Sequence, residues 1–136
     1  MNCLTLINRP RLTDLFCRLT AIDSPSYHED EMCAALKARL TDLGLAVDED
    51  DAGRHYNVSY GNLLAYLPGH DADGGSRLSA LPPLLFCCHM DTVVPAVGKK
   101  AVIHEDGTIT SDGTTVLGAD DVSGIVSVLE ALTVIK

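Results

Sequence analysis

The chain has 136 residues, 46% hydrophobic and 21% charged, a balance that supports a folded core and excludes a disordered polymer. Ten Lys and Arg against nineteen Asp and Glu leave a formal charge of −9, and the isoelectric point is near 4.7. The only adjacent basic pair is Lys99–Lys100, so no cationic stripe is available for phosphate, and nucleic acid and membrane surfaces are excluded as partners.

In chain order, the first expected element is a helix from Pro10 to about Thr20. Leu12, Leu15, Phe16 and Leu19 recur on one face, and Pro10 suits a first turn. The N-terminal MNCLTLINRP has no basic start followed by an apolar stretch, so no signal peptide is expected. After a loop at Ile22–Tyr27, Ser26 and Glu29 read as a capping box for a second helix. Glu29, Asp30 and Glu31 suit the positive end of its dipole. Met32, Leu36, Leu40 and Leu43 form its apolar face, and Gly44 stops it.

Strand patterns follow at Leu45–Val47 and Gly61–Pro68, and a polar Gly/Asp loop is expected from Gly69 to Ser79. Pro83 to Met90 is nearly all apolar, as in a strand buried on both faces of a sheet, with Cys87 and Cys88 packed inside it. The apolar stretch from Leu81 to Cys88 contains two prolines and falls far short of the roughly 20 residues that span a bilayer. A hairpin is expected over 101–110, turning at Glu105-Asp106-Gly107. The last helix runs from about Asp121 to Ile135, with Val122, Ile125, Val126, Leu129 and Leu132 on one face and Ser123, Gly124 and Ser127 permitting close approach. Five cysteines without a C-x-x-C pair fit a reduced, cytoplasmic compartment. The pattern is α/β, in one domain spanning 1–136.

Two short constellations carry chemistry. His89-Met90-Asp91-Thr92 ends the apolar run, where α/β sheets place their ligand sites. The imidazole can bind a metal, and the carboxylate two residues on can hold the ring. Read alone, H-x-D is equally a strand-end turn. Leu117-Gly118-Ala119-Asp120-Asp121 sets two carboxylates before a helix. They are hard oxygen ligands for metals, or an ordinary helix N-cap.

Taken together, His89-Met90-Asp91-Thr92-Val93-Val94-Pro95, the block Ser111–Ile125 and Gly61–Gly69 resemble the peptidase T-like branch of the di-zinc aminopeptidases. Acetylornithine deacylases and carboxypeptidase G share the wider superfamily. The resemblance implies that His89 ligates one zinc and that Asp120 bridges two. It implies that Asp91 orients the His89 ring, and that the Asp120–Asp121 peptide is cis. The reaction implied is hydrolysis of the N-terminal bond of short peptides, with homodimerisation through a domain outside these residues. The resemblance also implies a glutamate base and further carboxylate and histidine ligands, and these lack counterparts here. After Asp121 the only acid is Glu130, and His104, Asp106 and Asp112 are not expected to substitute. Catalytic zinc needs at least three protein ligands.

The expectation is therefore the N-terminal part of an α/β catalytic domain, a central mixed sheet flanked by helices without the remaining strands and lid, inactive alone and prone to aggregation. A deacylase of N-acyl amino acids, or a non-catalytic module, are the alternative readings.

Overall fold

A computed structural model describes residues 3–69 and 82–136. The loop expected at 69–79 lies, apart from Gly69, outside the described residues, as does Leu81.

Helix α1 spans Arg9–Thr20 and begins where the Asn8 side chain accepts the Arg11 backbone N–H at 3.0 Å, with Pro10 in the first turn. Helix α2 spans Asp30–Asp42. Gly44, at φ 71°, closes it: Gly44 N–H reaches the Thr41 carbonyl at 2.7 Å, and Leu45 N–H reaches that of Leu40 at 3.1 Å. Strands β1 (Ala46–Glu49) and β2 (Leu63–Tyr66) pair antiparallel, Val47 opposite Ala65. Strands β3 (Ala101–Ile103) and β4 (Ile109–Ser111) form the expected hairpin, turning through Gly107 at φ 85°. Helix α3 spans Ala119–Ile135. Short 3-10 turns lie at Cys3–Leu6 and Ala52–Tyr56.

The core is a helix layer. Leu15, Phe16 and Leu19 of α1, Met32 and Leu36 of α2, and Val122, Ile125, Val126 and Leu129 of α3 form one buried cluster. Burying each such side chain contributes roughly 1.5–3 kcal/mol, so the three apolar stripes suffice to fix the helices against one another. One ionic group joins them. Glu130, 4% exposed, accepts the Asn8 backbone N–H at 2.8 Å and takes the Arg11 guanidinium in a fork, at 2.8 Å from Nε and 2.7 Å from Nη2.

Three expectations need correction. Ser26 does not cap α2: Glu29 occupies the cap position, and no side chain caps the helix there. Tyr60 takes over, accepting the Glu29 backbone N–H at 3.2 Å and donating its hydroxyl to the Glu29 carboxylate. The segment after Leu81 is not a strand buried on both faces. Leu84, Leu85 and Phe86 are 85%, 84% and 66% exposed, and Cys87 and Cys88 are exposed free thiols. A strand needs ladder partners on its edges and layers on its faces, and among the described residues none lies beside it. Ser123 and Ser127 are exposed, so among the described residues no backbone packs against that side of α3.

The fold is thus α/β and partial: helices pack together, while among the described residues both sheets have two strands. Among the described residues, no helix is long and apolar enough to cross a membrane.

Candidate metal centre

His89 and Asp91 follow the exposed apolar segment directly, and Asp120 stands at the entry to α3. The three side chains meet. His89 Nε2 lies 3.1 Å from Asp120 Oδ1. On its other side, His89 Nδ1 lies 3.1 Å from Asp91 Oδ1 and 3.0 Å from the Asp91 carbonyl oxygen. With two oxygens facing Nδ1, that nitrogen donates, and Nε2 is turned toward Asp120. Asp91 uses its second oxygen to accept the Ser26 hydroxyl at 2.6 Å.

The backbone explains how Asp120 gets there. Asp120 and Asp121 are not helical, at φ −94°, ψ 107° and φ −115°, ψ 29°, and the peptide between them is cis, as the sequence resemblance implied. Gly118, at φ 76°, brings the chain in close to Thr92 and Lys99. A Cβ there would sit 3.1 Å from Thr92 Cγ2 and 3.3 Å from Lys99 Cδ and Cε. Gly118→Ala should therefore cost about 1–2 kcal/mol from the left-handed backbone, read as a shift in the urea midpoint. An unchanged midpoint would show that the 118 turn is not held in this conformation. Gly124, one turn into α3, leaves the space that the Asp121 carboxylate fills.

Exposure separates the roles. Asp120 is 96% exposed, His89 50% and Asp91 37%, so the outward carboxylate is free to take a further partner. Partial burial works against charging His89. The hydrogen bond to Asp120, the Asp91 carbonyl and both carboxylate charges outweigh it, and the imidazole pKa is raised. Nearby, although Cys88 is exposed as a residue, partial desolvation of its sulfur and then the Asp121 charge and hydrogen bond push the thiol up.

The donor set fits zinc. Nitrogen and oxygen ligands about 2.0–2.1 Å from a tetrahedral ion stand roughly 3.3 Å apart, and the Nε2–Oδ1 pair is 3.1 Å apart. An imidazole whose second nitrogen is held by a carboxylate is the usual arrangement of a metal-bound histidine. The remaining candidates are engaged locally. His104 Nε2 pairs with the Thr110 hydroxyl at 2.9 Å, Asp106 accepts Thr108 N–H at 2.9 Å, and Asp112 accepts both Thr114 donors. Among the described residues, no three His, Cys, Asp or Glu side chains cluster to hold an ion. A cavity of about 440 Å³ beside β1, bordered by Lys37, Asp48, Glu49 and Tyr60, has none of the three site residues in its lining.

Sequence reasoning missed Ser26, Thr92 and Lys99. Thr92 and Lys99 are 2% and 3% exposed and hold the segment after Asp91 in place. A threonine directly after H-x-D and before the apolar Val93-Val94 was the available signal for Thr92. Nothing in the sequence marks Lys99 as buried.

No family model matches the chain. It is 40% identical to YqjE, an uncharacterised protein of Bacillus subtilis, over 96% of its own length and 33% of that protein. It is 32% identical to peptidase T of Streptococcus thermophilus, over 74% of this chain and 29% of the relative. Two crystal structures match its backbone. A tripeptidase from Staphylococcus aureus gives a TM-score of 0.84 at 40% identity, and the aminopeptidase PepT from Bacillus cereus gives 0.85 at 41%. In each, 96% of this chain is matched to 33% of the other. The chain thus spans about a third of the length of the relatives it matches. Sequence and backbone agree over nearly all of these residues, and the chain is a peptidase T-like segment.

Proposed function

We propose that these residues form part of a metal-dependent aminopeptidase acting on short peptides, with His89 and Asp120 as zinc ligands and Asp91 as the residue that orients His89. The observation that carries this is the ring of His89, held on one side by Asp91 and facing Asp120 on the other at 3.1 Å. The similarity to the tripeptidase and to PepT supports the substrate class.

Two zinc ions at such a centre would supply a water of lowered pKa and Lewis-acid polarisation of the scissile carbonyl. The chain's own part is positional. Asp91 fixes the ring so that Nε2 presents its lone pair outward. Asp120, exposed and preceded by the turn at Gly118, offers one oxygen toward His89 and the other away from it. Against partial burial, the two carboxylates draw His89 toward its protonated form, so its Nε2 lone pair would be more available to a metal as pH rises. Among the described residues, two ligands fall short of the three that a catalytic zinc requires. These 136 residues therefore perform no turnover by themselves. The acidic surface and the free thiols at Cys17, Cys33, Cys87 and Cys88 suit a cytoplasmic setting.

The test joins these residues to the remaining two-thirds of the Staphylococcus aureus tripeptidase. The joined chain should release the N-terminal residue of a tripeptide, lose this with a chelator and regain it with zinc, while the 136 residues alone do nothing. Release of acyl groups from N-acyl amino acids, with tripeptides untouched, would replace the proposal with a deacylase.

A further inference from the structure

We infer that Ser26 is a positioning residue for this centre, acting on His89 through Asp91. The inference rests on the reading of His89 and Asp120 as metal ligands. Its sequence context marks Ser26 as a helix cap, but its hydroxyl is not used there. It donates to Asp91 Oδ2 at 2.6 Å, a contact made across 65 positions of sequence, and α2 starts without it.

The hydroxyl is aimed by its surroundings. The segment before it is fastened to the segment after Asp91 at several points. Thr92 N–H donates to the Ser24 carbonyl at 2.8 Å, and the Ser24 and Thr92 hydroxyls lie 3.3 Å apart with both residues buried. Pro25 and Thr92 form a parallel bridge. Gly98 N–H donates to Asp23 Oδ1, and the buried Lys99 ammonium donates to the Ile22 carbonyl, each at 2.8 Å. Tyr27 then leaves at φ 70°, a left-handed conformation uncommon for a residue with a Cβ, which surrounding contacts must enforce. Its ring meets that of Tyr56 at 5.9 Å. Loop 22–27 and segment 91–99 thus form one unit, and Ser26 is its point of contact with the carboxylate.

The chemistry follows from how a carboxylate orients an imidazole. Without a second partner the Asp91 carboxylate could turn about its side-chain torsions, leaving the ring held on the Nδ1 side by the Asp91 carbonyl oxygen alone. The Ser26 hydroxyl fixes Oδ2, which leaves Oδ1 directed at Nδ1 and Nε2 directed outward. Groups that orient a ligand in this way typically change metal affinity 10–100-fold. Ser26 acts one hydrogen bond farther from the ion, so the low end, about tenfold, is expected.

The experiment titrates the 136-residue chain with Zn²⁺ and follows the ring ¹⁵N resonances of His89. Ser26→Val should weaken the apparent zinc affinity about tenfold and broaden the His89 ring signals without zinc, as its orientation loosens. Ser26→Thr, which matches valine in shape but keeps the hydroxyl, should bind like the parent. Ser26 is exposed, so thermal melts of the pair should coincide. Equal zinc affinity in the Val and Thr variants overturns the role of Ser26 and leaves the ligand assignment standing. If zinc leaves His89 unmoved in the parent, or moves it equally in Asp120→Ala, the ligand assignment fails and takes this inference with it.

Discussion

Replacing Glu130 with alanine should lower the unfolding free energy of the chain by about 3 kcal/mol, the low end for breaking a buried ion pair. The carboxylate is 4% exposed, while Arg11 is 35% exposed and can recover water on one side. The loss is more than one charge pair. Asn8 N–H and two guanidinium donors lose their acceptor together, at the point where α1 begins. The acid side of the stability curve separates charge from shape. The Arg11 hydrogen bond, aided by Asn8 N–H and the charges of Arg11 and Arg39, holds the Glu130 pKa below its ordinary value despite burial. A depressed carboxylate stabilises the fold fully above its unfolded pKa of about 4.3 and loses that contribution as pH falls through the lower folded value. Urea melts of parent and Glu130→Gln should therefore differ at pH 7 and converge in strong acid. A gap that persists undiminished in acid would assign the effect to packing.

The second large effect falls on activity. In the chain joined to the rest of the tripeptidase, His89→Ala should reduce kcat/KM for a tripeptide at least about 100-fold, equivalent to about 2.7 kcal/mol of transition-state stabilisation. Asp91→Asn should cost less, about 10-fold or more, because the ring keeps its ligand nitrogen and loses only its fixed orientation. Both side chains are only partly buried, so circular dichroism and melting should stay near the parent. The split between the two variants is the informative quantity. Equal, small losses would place the imidazole outside the chemistry, and unaffected hydrolysis would remove it from the centre altogether.

Helices and hairpin were legible because their signals are local. The 3.6-residue stripe of α1, Gly44 after α2, and the Asp-Gly turn between β3 and β4 each state their structure within a few residues. The meeting of His89 with Asp120 came from a resemblance, since nothing local shows that positions 31 apart face each other. The Ser26 cap failed because a capping box is a local pattern with two long-range competitors. Tyr60 satisfied Glu29, and Asp91 drew the hydroxyl away. The apolar stretch through Phe86 was readable as hydrophobic, but burial depends on what lies beside it, and no described strand does.

The helix layer also sets an order of assembly. Its first helix is completed by its last: Glu130 binds Asn8 and Arg11 across 122 and 119 positions, and α1 shares its apolar stripe with α3. During synthesis, α1 and α2 leave the ribosome long before the surface that covers them exists. Contacts of such separation close large loops, and chains dominated by them fold slowly and expose apolar surface while they wait. Nascent chains stalled before α3 should thus remain open to proteases, and protection should arrive abruptly once Glu130 clears the exit tunnel.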